Sequence, residues 1–224
     1  MLGIFDSGKG ALAVLDRVRE LYPSADITVL CDTENAPYGT KEQDEILAIV
    51  RRNLLRLVSA GASRVLIGCC TASTVYERLG KIERAISTPI IYPTVKAAVR
   101  TTLSGKIGVL ATAATVRSHA FSDEIRRLAP ECTVVESAAG ELVELVEGWD
   151  GKALSEKDSD TVRNSLLPFL DGETDTLVLG CTHFPHLAEE IRRIAPELML
   201  VRCDKCGAEF INPLPNESGR TVFL

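Results

Sequence analysis

The chain has 224 residues, of which 46% are apolar and 25% charged, and a formal net charge of −6, as expected of a globular protein with one large or two small domains. The acidic balance argues against a general nucleic-acid-binding surface, and no apolar run is long enough for a membrane-spanning helix. Because the first residues lack the features of a secretory signal, we expect a cytoplasmic protein with neither nucleic acid nor membrane as a partner.

Short apolar runs alternate with amphipathic segments along the first part of the chain. These patterns predict strands at residues 2–5, 27–31, 64–68 and 89–92. They predict helices that end near residue 22 and that cover residues 41–60 and 72–79. Residues 32–39 contain too many turn formers for either element and are predicted to form a loop.

The same alternation continues after a predicted helix at residues 94–102, which we place at the crossing between two halves of the chain. Further strands are predicted at residues 106–111, 133–136, 176–180 and 198–201. Further helices are predicted at residues 115–128, 140–147, 155–170 and 185–194. Residues 203–224 are polar and contain proline, and they predict no clear element. The alternation indicates an α/β fold with parallel sheets, helices on both faces and a ligand site at the carboxyl ends of the strands.

One pattern, an apolar strand that ends in glycine and cysteine, occurs twice. Residues 66–73 are LIGCCTAS and residues 177–183 are LVLGCTH. Each half also has an earlier strand that ends in small polar residues, at 3–8 and at 108–112. We therefore predict two similar parallel-sheet α/β lobes related by pseudo-two-fold symmetry, with the active site in the cleft between them. The predicted lobes are residues 1–93 plus 203–224, and residues 94–202.

Cys69 and Cys181, 112 positions apart, are the first candidates for chemistry. A thiol between a strand end and a helix start lies where the helix dipole and free main-chain N–H groups favour the thiolate. Taken singly, each is more simply explained as a small buried apolar residue. As a matched pair they could form a disulfide, act in redox chemistry, or transfer protons on opposite faces of one carbon atom.

Asp6 and His183 each lie beside a strand end in a different half, where they could steer the protonation of a thiol. The alternatives are an aspartate that stabilises a turn and a histidine that packs or caps. Hydroxyl and main-chain donors also cluster at loop and helix starts and favour a pocket for carboxylates or phosphates. These donors are Ser7, Gly8, Gly10, Tyr38, Gly39, Thr71, Thr115 and Thr182. Residues 6–10 match neither a Walker loop nor a GxGxxG fingerprint, so a nucleotide is poorly supported.

The seven cysteines do not predict a disulfide framework, because their number is odd and a cytoplasmic location is expected. Cys203 and Cys206 have the spacing of half a zinc knuckle. A Cys₄ site needs a second CxxC pair, which the sequence lacks. We therefore predict no metal site.

Four blocks together resemble the glutamate racemases, in the cofactor-independent aspartate/glutamate racemase superfamily. The blocks are residues 4–8 with Gly10, Asp32 and Thr33 with residues 37–39, residues 68–69 with 71–72, and residues 180–185. The first is similar to the family's opening loop, the second to its substrate-carboxylate loop and the last two to its catalytic blocks. The resemblance extends from Gly3 to about Arg193.

This resemblance implies interconversion of L- and D-glutamate without a cofactor or metal, and a supply of D-glutamate for peptidoglycan. Cys69 and Cys181 would be the acid–base thiols, assisted by Asp6 and His183, and Glu147 would lie near the cleft. The implied substrate-binding residues are Asp6, Ser7, Pro37, Tyr38, Gly39, Cys70, Thr71, Thr115, Thr182 and His183. The implied partner is a small acidic amino acid. Racemases of this kind commonly form dimers, so a homodimer is a further expectation.

The chain departs from the family pattern at two positions. Cys70 stands where the family has asparagine, and a thiol is a poorer hydrogen-bond donor than an amide. Ala11 stands where a second glycine is usual. Four alternatives stay open: a racemase of aspartate or another amino acid, a relative with another reaction, a catalytically silent protein that binds a dicarboxylate, and a zinc-binding role for Cys203 and Cys206. Cys69 rather than Cys70 is taken as the first thiol, because the family has one residue between this cysteine and the threonine.

Overall fold

Two parallel β-sheets form the framework of the computed structural model, which describes residues 1–211, 214–215 and 217–224. The strands in these residues are β1 (Leu2–Asp6), β2 (Ile27–Cys31), β3 (Arg64–Ile67), β4 (Ser87–Pro89), β5 (Lys106–Ala111), β6 (Thr133–Ala138), β7 (Thr176–Gly180), β8 (Met199–Arg202) and β9 (Thr221–Phe223). The first sheet has the order β4-β3-β1-β2-β9 and the second has the order β6-β5-β7-β8. In the register of the first sheet, Ile4 pairs with Val29 on one side and Leu66 on the other.

Helices connect successive strands, as parallel pairing requires. In the described residues they are α1 (Gly10–Leu21), α2 (Gln43–Ser59), α3 (Cys70–Ser73), α4 (Lys81–Ile86), α5 (Ile91–Thr101), α6 (Ala113–Ser118), α7 (Ala120–Leu128), α8 (Gly140–Gly148), α9 (Glu156–Leu166), α10 (Ala188–Ile194) and α11 (Cys203–Phe210). Helix α1 shows why they form: Val14, Leu15 and Val18 make one buried stripe, at the spacing of a helix that packs on a sheet. None of the helices in the described part of the chain has the length and apolar character needed to cross a membrane.

The predicted two-lobed α/β fold is confirmed, and the two sheets repeat one arrangement. In the first sheet β1 lies between β3 and β2, and in the second β5 lies between β7 and β6. The strand that precedes Cys69 is therefore equivalent to the strand that precedes Cys181. Residues from both sheets, among them Leu66 and Val178, belong to one continuous apolar core.

The predicted fourth strand lies too late in the chain. Strand β4 ends at Pro89, and residues 91–101 form helix α5. Pro93 is compatible with this helix because it lies in the first turn, where main-chain N–H groups have no partner within the helix. The predicted helix at residues 115–128 is also interrupted, because His119 adopts a left-handed conformation with φ of 56° and separates α6 from α7.

Residues 203–224 contain two elements that the sequence pattern does not predict. Helix α11 packs against α1 and α5, and a Cβ at Gly207 would lie 2.8 Å from Ile90 Cγ1, so glycine permits close packing there. Strand β9 pairs with β2, with Thr221 opposite Ile27. The first sheet thus contains strands from residues 2–89 and 221–223, and the second from residues 106–202. The lobe limits at residues 93 and 202 stay a prediction.

Candidate active site

A glycine ends the strand segment before each of the two candidate thiols. A Cβ at Gly68 would lie 3.2 Å from the carbonyl oxygen of Phe5, and a Cβ at Gly180 would lie 3.1 Å from that of Leu110. A neighbouring main chain cannot move aside as a flexible side chain can, so glycine suits both positions. The chain then leaves each sheet, and Cys69 and Cys181 occupy equivalent strand ends.

Both thiols line one cavity of about 470 Å³, within the usual size of a small-molecule site. Cys69 is 5% and Cys181 is 7% exposed. Most predicted site residues also line it, namely Ser7, Pro37, Tyr38, Gly39, Cys70, Thr71, Thr182 and His183. A larger surface depression of about 750 Å³, bordered by Trp149 and Arg163, contains neither thiol.

Two predicted site residues, Asp6 and Thr115, are not part of the cavity lining and are fully buried. The Thr115 hydroxyl forms hydrogen bonds with the hydroxyls of Thr71 (3.1 Å) and Thr112 (2.9 Å), which are themselves 2.9 Å apart. This ring of three hydroxyls joins the first lobe to the second beneath the cavity. Each hydroxyl can both donate and accept, so the ring can satisfy its polar atoms away from water.

Cys69 lies within hydrogen-bonding distance of the first-lobe loop after β1. Its Sγ is 3.3 Å from the Ser7 hydroxyl and accepts a hydrogen bond from the Ala72 N–H at 3.4 Å. Ser7 in turn donates to Asp6 Oδ1 at 3.3 Å. Burial and the nearby Asp6 carboxylate raise the pKa of the Cys69 thiol to about 12, against these hydrogen bonds, which lower it. The resting thiol is therefore protonated, and a short chain of polar groups links it to Asp6.

Cys181 has a different set of partners, on the second-lobe side. Its Sγ is 3.6 Å from His183 Nδ1, and His183 Nε2 is 2.7 Å from Glu147 Oε1. Burial raises the pKa of the Cys181 thiol well above its ordinary value. Burial alone would raise the pKa of Glu147, but hydrogen bonds from His183 and Lys9 outweigh it and lower that pKa. The arrangement is a thiol–imidazole–carboxylate series in which Glu147 orients the ring.

Asp6 connects the two sides of the cavity. Its Oδ1 accepts from the Gly8 N–H at 3.2 Å, and its Oδ2 accepts from the Thr182 hydroxyl, on the other lobe, at 3.0 Å. Burial raises the pKa of the Asp6 carboxyl, although His183 and these hydrogen bonds oppose the shift. A buried carboxyl with a raised pKa is a group that can exchange a proton with its neighbours.

Tyr38 lines the cavity wall, but its hydroxyl is hydrogen-bonded to another side chain. It donates to Asp32 Oδ2 at 2.6 Å, and Asn53 Nδ2 donates to the same oxygen at 2.8 Å. Burial and the hydrogen bond to Asp32 raise the pKa of Tyr38. What Tyr38 and Gly39 can offer a ligand is thus mainly their main chain, rather than a phenol donor.

Cys70 lines the cavity, and its thiol forms a hydrogen bond with Cys203 at the start of α11. This hydrogen bond and burial raise the pKa of Cys70. Cys203 is buried and Cys206 half-buried in α11, so the CxxC pair belongs to a packed helix rather than to an exposed loop. In the part of the chain that the structure describes, no three His, Cys, Asp or Glu side chains cluster as metal ligands.

Sequence reasoning missed several residues of the cavity wall. They include Lys9, Thr112, Val143 and Glu144, and Glu147 was placed near the cleft only through the family resemblance. Thr112 had a visible signal, because it follows a strand in the position equivalent to Ser7 in the loop after β1. The members from α8 had none, since the helix pattern does not reveal which face meets the other lobe.

The fold and the cavity define an α/β protein with a ligand site between two parallel-sheet lobes. The profile of the family described as Asp/Glu/Hydantoin racemase matches residues 12–210. A glutamate racemase from Gloeobacter violaceus is 40% identical over 204 residues, which are 91% of this chain and 75% of that protein.

Solved structures agree with this match. The crystal structure of glutamate racemase isoform RacE1 from Bacillus anthracis has a TM-score of 0.88 and 25% identity, covering 100% of this chain and 87% of that one. Glutamate racemase from Francisella tularensis, solved in complex with D-glutamate, has a TM-score of 0.87 and 25% identity, covering 99% and 86%. The chain belongs to the Asp/Glu/Hydantoin racemase family, among the glutamate racemases, and is therefore an isomerase, which confirms the resemblance seen in the sequence.

Proposed function

We propose that this protein interconverts L- and D-glutamate by proton transfer at Cα between two thiols, Cys69 and Cys181. The observation that carries the proposal is that these thiols come from equivalent strand ends of separate lobes and line one cavity. Racemisation requires a base on one face of Cα and an acid on the other. A pseudo-symmetric chain supplies two such groups of the same chemical kind.

In each turnover one cysteine, as thiolate, removes the α-proton, and the other, as thiol, protonates the opposite face. The product is the other enantiomer, and the two sulfurs have exchanged protonation states, so protons balance without a cofactor. Because both thiols are protonated at rest, one must first lose a proton. Asp6, through Ser7, and His183 are the groups placed to take it.

The α-proton of an amino acid is very weakly acidic, so the site must stabilise the developing carbanion. Exclusion of water by the bound substrate would strengthen every charge interaction with it. The hydroxyl oxygens of Ser7 and Thr182, which donate their protons to Asp6, are proposed to accept from the substrate's amine. Thr71 and the main chain of Tyr38 and Gly39 are proposed to hold the carboxylates. Preorganised donors of this kind stabilise charge as it forms, without reorganising.

The same proposal includes a small acidic amino acid as the substrate and the supply of D-glutamate for peptidoglycan as the cellular role. A cytoplasmic location, a homodimer and the division into lobes of residues 1–93 plus 203–224 and 94–202 are also proposed. Aspartate is the main competing substrate, since its shorter side chain carries the same two carboxylates.

The test is solvent exchange in heavy water with L- and D-forms of glutamate, aspartate and other amino acids. We expect deuterium to enter at Cα of glutamate, and both Cys69→Ser and Cys181→Ser to abolish racemisation. Cys132→Ser is the matched control, because it makes the same atomic change at a buried thiol outside the cavity lining. Normal turnover in either cavity variant would exclude the two-thiol mechanism, and exchange with aspartate alone would replace the substrate.

A further inference from the structure

Lys9 reaches across the mouth of the cavity from the first lobe to the second. Its Nζ lies 3.0 Å from Glu147 Oε2 and donates a hydrogen bond of 3.3 Å to the Glu147 carbonyl oxygen. The other carboxylate oxygen, Oε1, is the one that holds His183 Nε2 at 2.7 Å. One carboxylate therefore bridges an ammonium group of the first lobe and the imidazole beside Cys181.

We propose that Lys9 is a positioning residue, a latch that couples closure of the two lobes to the orientation of His183 through Glu147. The inference rests on the proposed function, because His183 matters only if Cys181 exchanges protons with the substrate. When the lobes are closed, Lys9 fixes one Glu147 oxygen, and the other oxygen is directed at the imidazole. When they separate, Glu147 loses this partner and its side chain is free to change rotamer.

The exposure of the pair suits a reversible contact. The side chains of Lys9 and Glu147 are 66% and 37% exposed, and an exposed ion pair contributes little to stability. Such a contact can break and reform as substrate enters and product leaves. Its consequence is therefore expected in turnover rather than in unfolding.

Charged and titratable groups face Glu147 from both lobes. Lys9 faces it from the loop before α1, and His183 faces it from the segment after β7. Glu144, one turn earlier on α8, is also part of the cavity lining, and the Asp6 carboxylate lies behind Thr182. His183 and Lys9 both lower the pKa of Glu147, and Lys9 is the one of the two that comes from the other lobe.

The test combines Lys9→Met, Lys9→Arg, Glu147→Gln and the double variant Lys9→Met/Glu147→Gln in a mutant cycle. We expect Lys9→Met to lower kcat by about twofold to fivefold, as loss of an exposed ion pair allows, and Lys9→Arg to retain most of kcat. In the Glu147→Gln background, Lys9→Met should have a much smaller effect, because the carboxylate is gone and only the hydrogen bond to the main-chain carbonyl at this position remains. Lys81→Met, at an exposed position on α4, is the matched control.

A second readout does not depend on activity. The carboxyl ¹³C resonance of Glu147, assigned by its loss in Glu147→Gln, should titrate at higher pH in Lys9→Met than in wild type. An unchanged titration, or an equal loss of activity in both backgrounds, would overturn the latch; the second result would place Lys9 on the substrate carboxylate instead. If wild type catalysed no exchange, the proposed function would fail, while the titration would still decide whether Lys9 governs Glu147.

Discussion

The hydroxyl of Thr182, in the second lobe, donates a hydrogen bond of 3.0 Å to the buried carboxylate of Asp6, in the first. Thr182 directly follows Cys181, whereas Asp6 is linked through Ser7 to Cys69. This hydrogen bond therefore links the polar partners of one thiol to those of the other. A change at either residue should therefore affect both thiols.

Ionisation of the buried Asp6 carboxyl is expected to lower the free energy of unfolding as the pH rises. Because its pKa is raised in the folded protein, Asp6 contributes stability that is full below its unfolded value of 3.8 and is lost as the pH rises through the folded pKa. Asp6→Asn has no carboxyl to ionise at this position, so its stability does not fall in this way as the pH rises. We expect this variant to be more stable than wild type at neutral pH by about 1–3 kcal/mol, with the difference disappearing in acid.

Thermal or urea unfolding of wild type and Asp6→Asn across the pH range measures this difference. Asp16→Asn, at an exposed position on α1, serves as a control for the charge change. A stability difference between Asp6→Asn and wild type that grows toward acid pH would contradict the predicted sign.

Gly10 provides a prediction about the contact between the lobes. A Cβ at this position would lie 2.6 Å from Thr182 Cβ, and closer still to its hydroxyl. Gly10→Ala should therefore push Thr182 away from Asp6, reduce stability by about 1–3 kcal/mol as overpacking does, and impair turnover. Gly148→Ala, at the end of α8 with no atom within 4 Å of the added Cβ, should be tolerated. Wild-type activity in Gly10→Ala would mean that the lobes adjust freely at this contact.

Isotope effects can separate the Asp6 and His183 sides of the proposed mechanism. Racemisation has an equilibrium constant of one by symmetry, so kcat/KM must be equal for the two enantiomers in every variant. The deuterium isotope effect need not be equal, because each thiol removes the proton from one enantiomer only. His183→Asn should raise the effect for the enantiomer that Cys181 deprotonates, and Asp6→Asn for the other, with kcat reduced about a hundredfold in each.

The measurement uses α-deuterated D- and L-glutamate with each variant and with wild type. Equal changes for both enantiomers in both variants would show that Asp6 and His183 do not act on separate thiols. That result would favour a single shared proton network through the Asp6–Thr182 hydrogen bond.

Much of this protein is determined by local sequence. Apolar runs of strand length, alternating with amphipathic helices, predict parallel sheets because only buried strands with helical crossovers satisfy both patterns. The glycine–cysteine pairs after β3 and β7 predict the two thiols, since a chain that leaves a parallel sheet presents its next residues at the ligand edge. The prediction extended β4 to residue 92 because Pro93 was taken as a boundary between elements. Proline also occurs in the first turn of a helix, which is where Pro93 lies.

Tertiary structure alone decided which groups meet across the cleft. Nothing in residues 140–148 reveals that Glu147 touches both His183 and Lys9, because those contacts depend on how α8 approaches the other lobe. Likewise, α11 and β9 form where Ile90 and strand β2 provide a surface for them, not where local propensity is strong. Periodicity and turn chemistry act between near neighbours in the chain, whereas the proton partners of the two thiols are set by packing between distant segments.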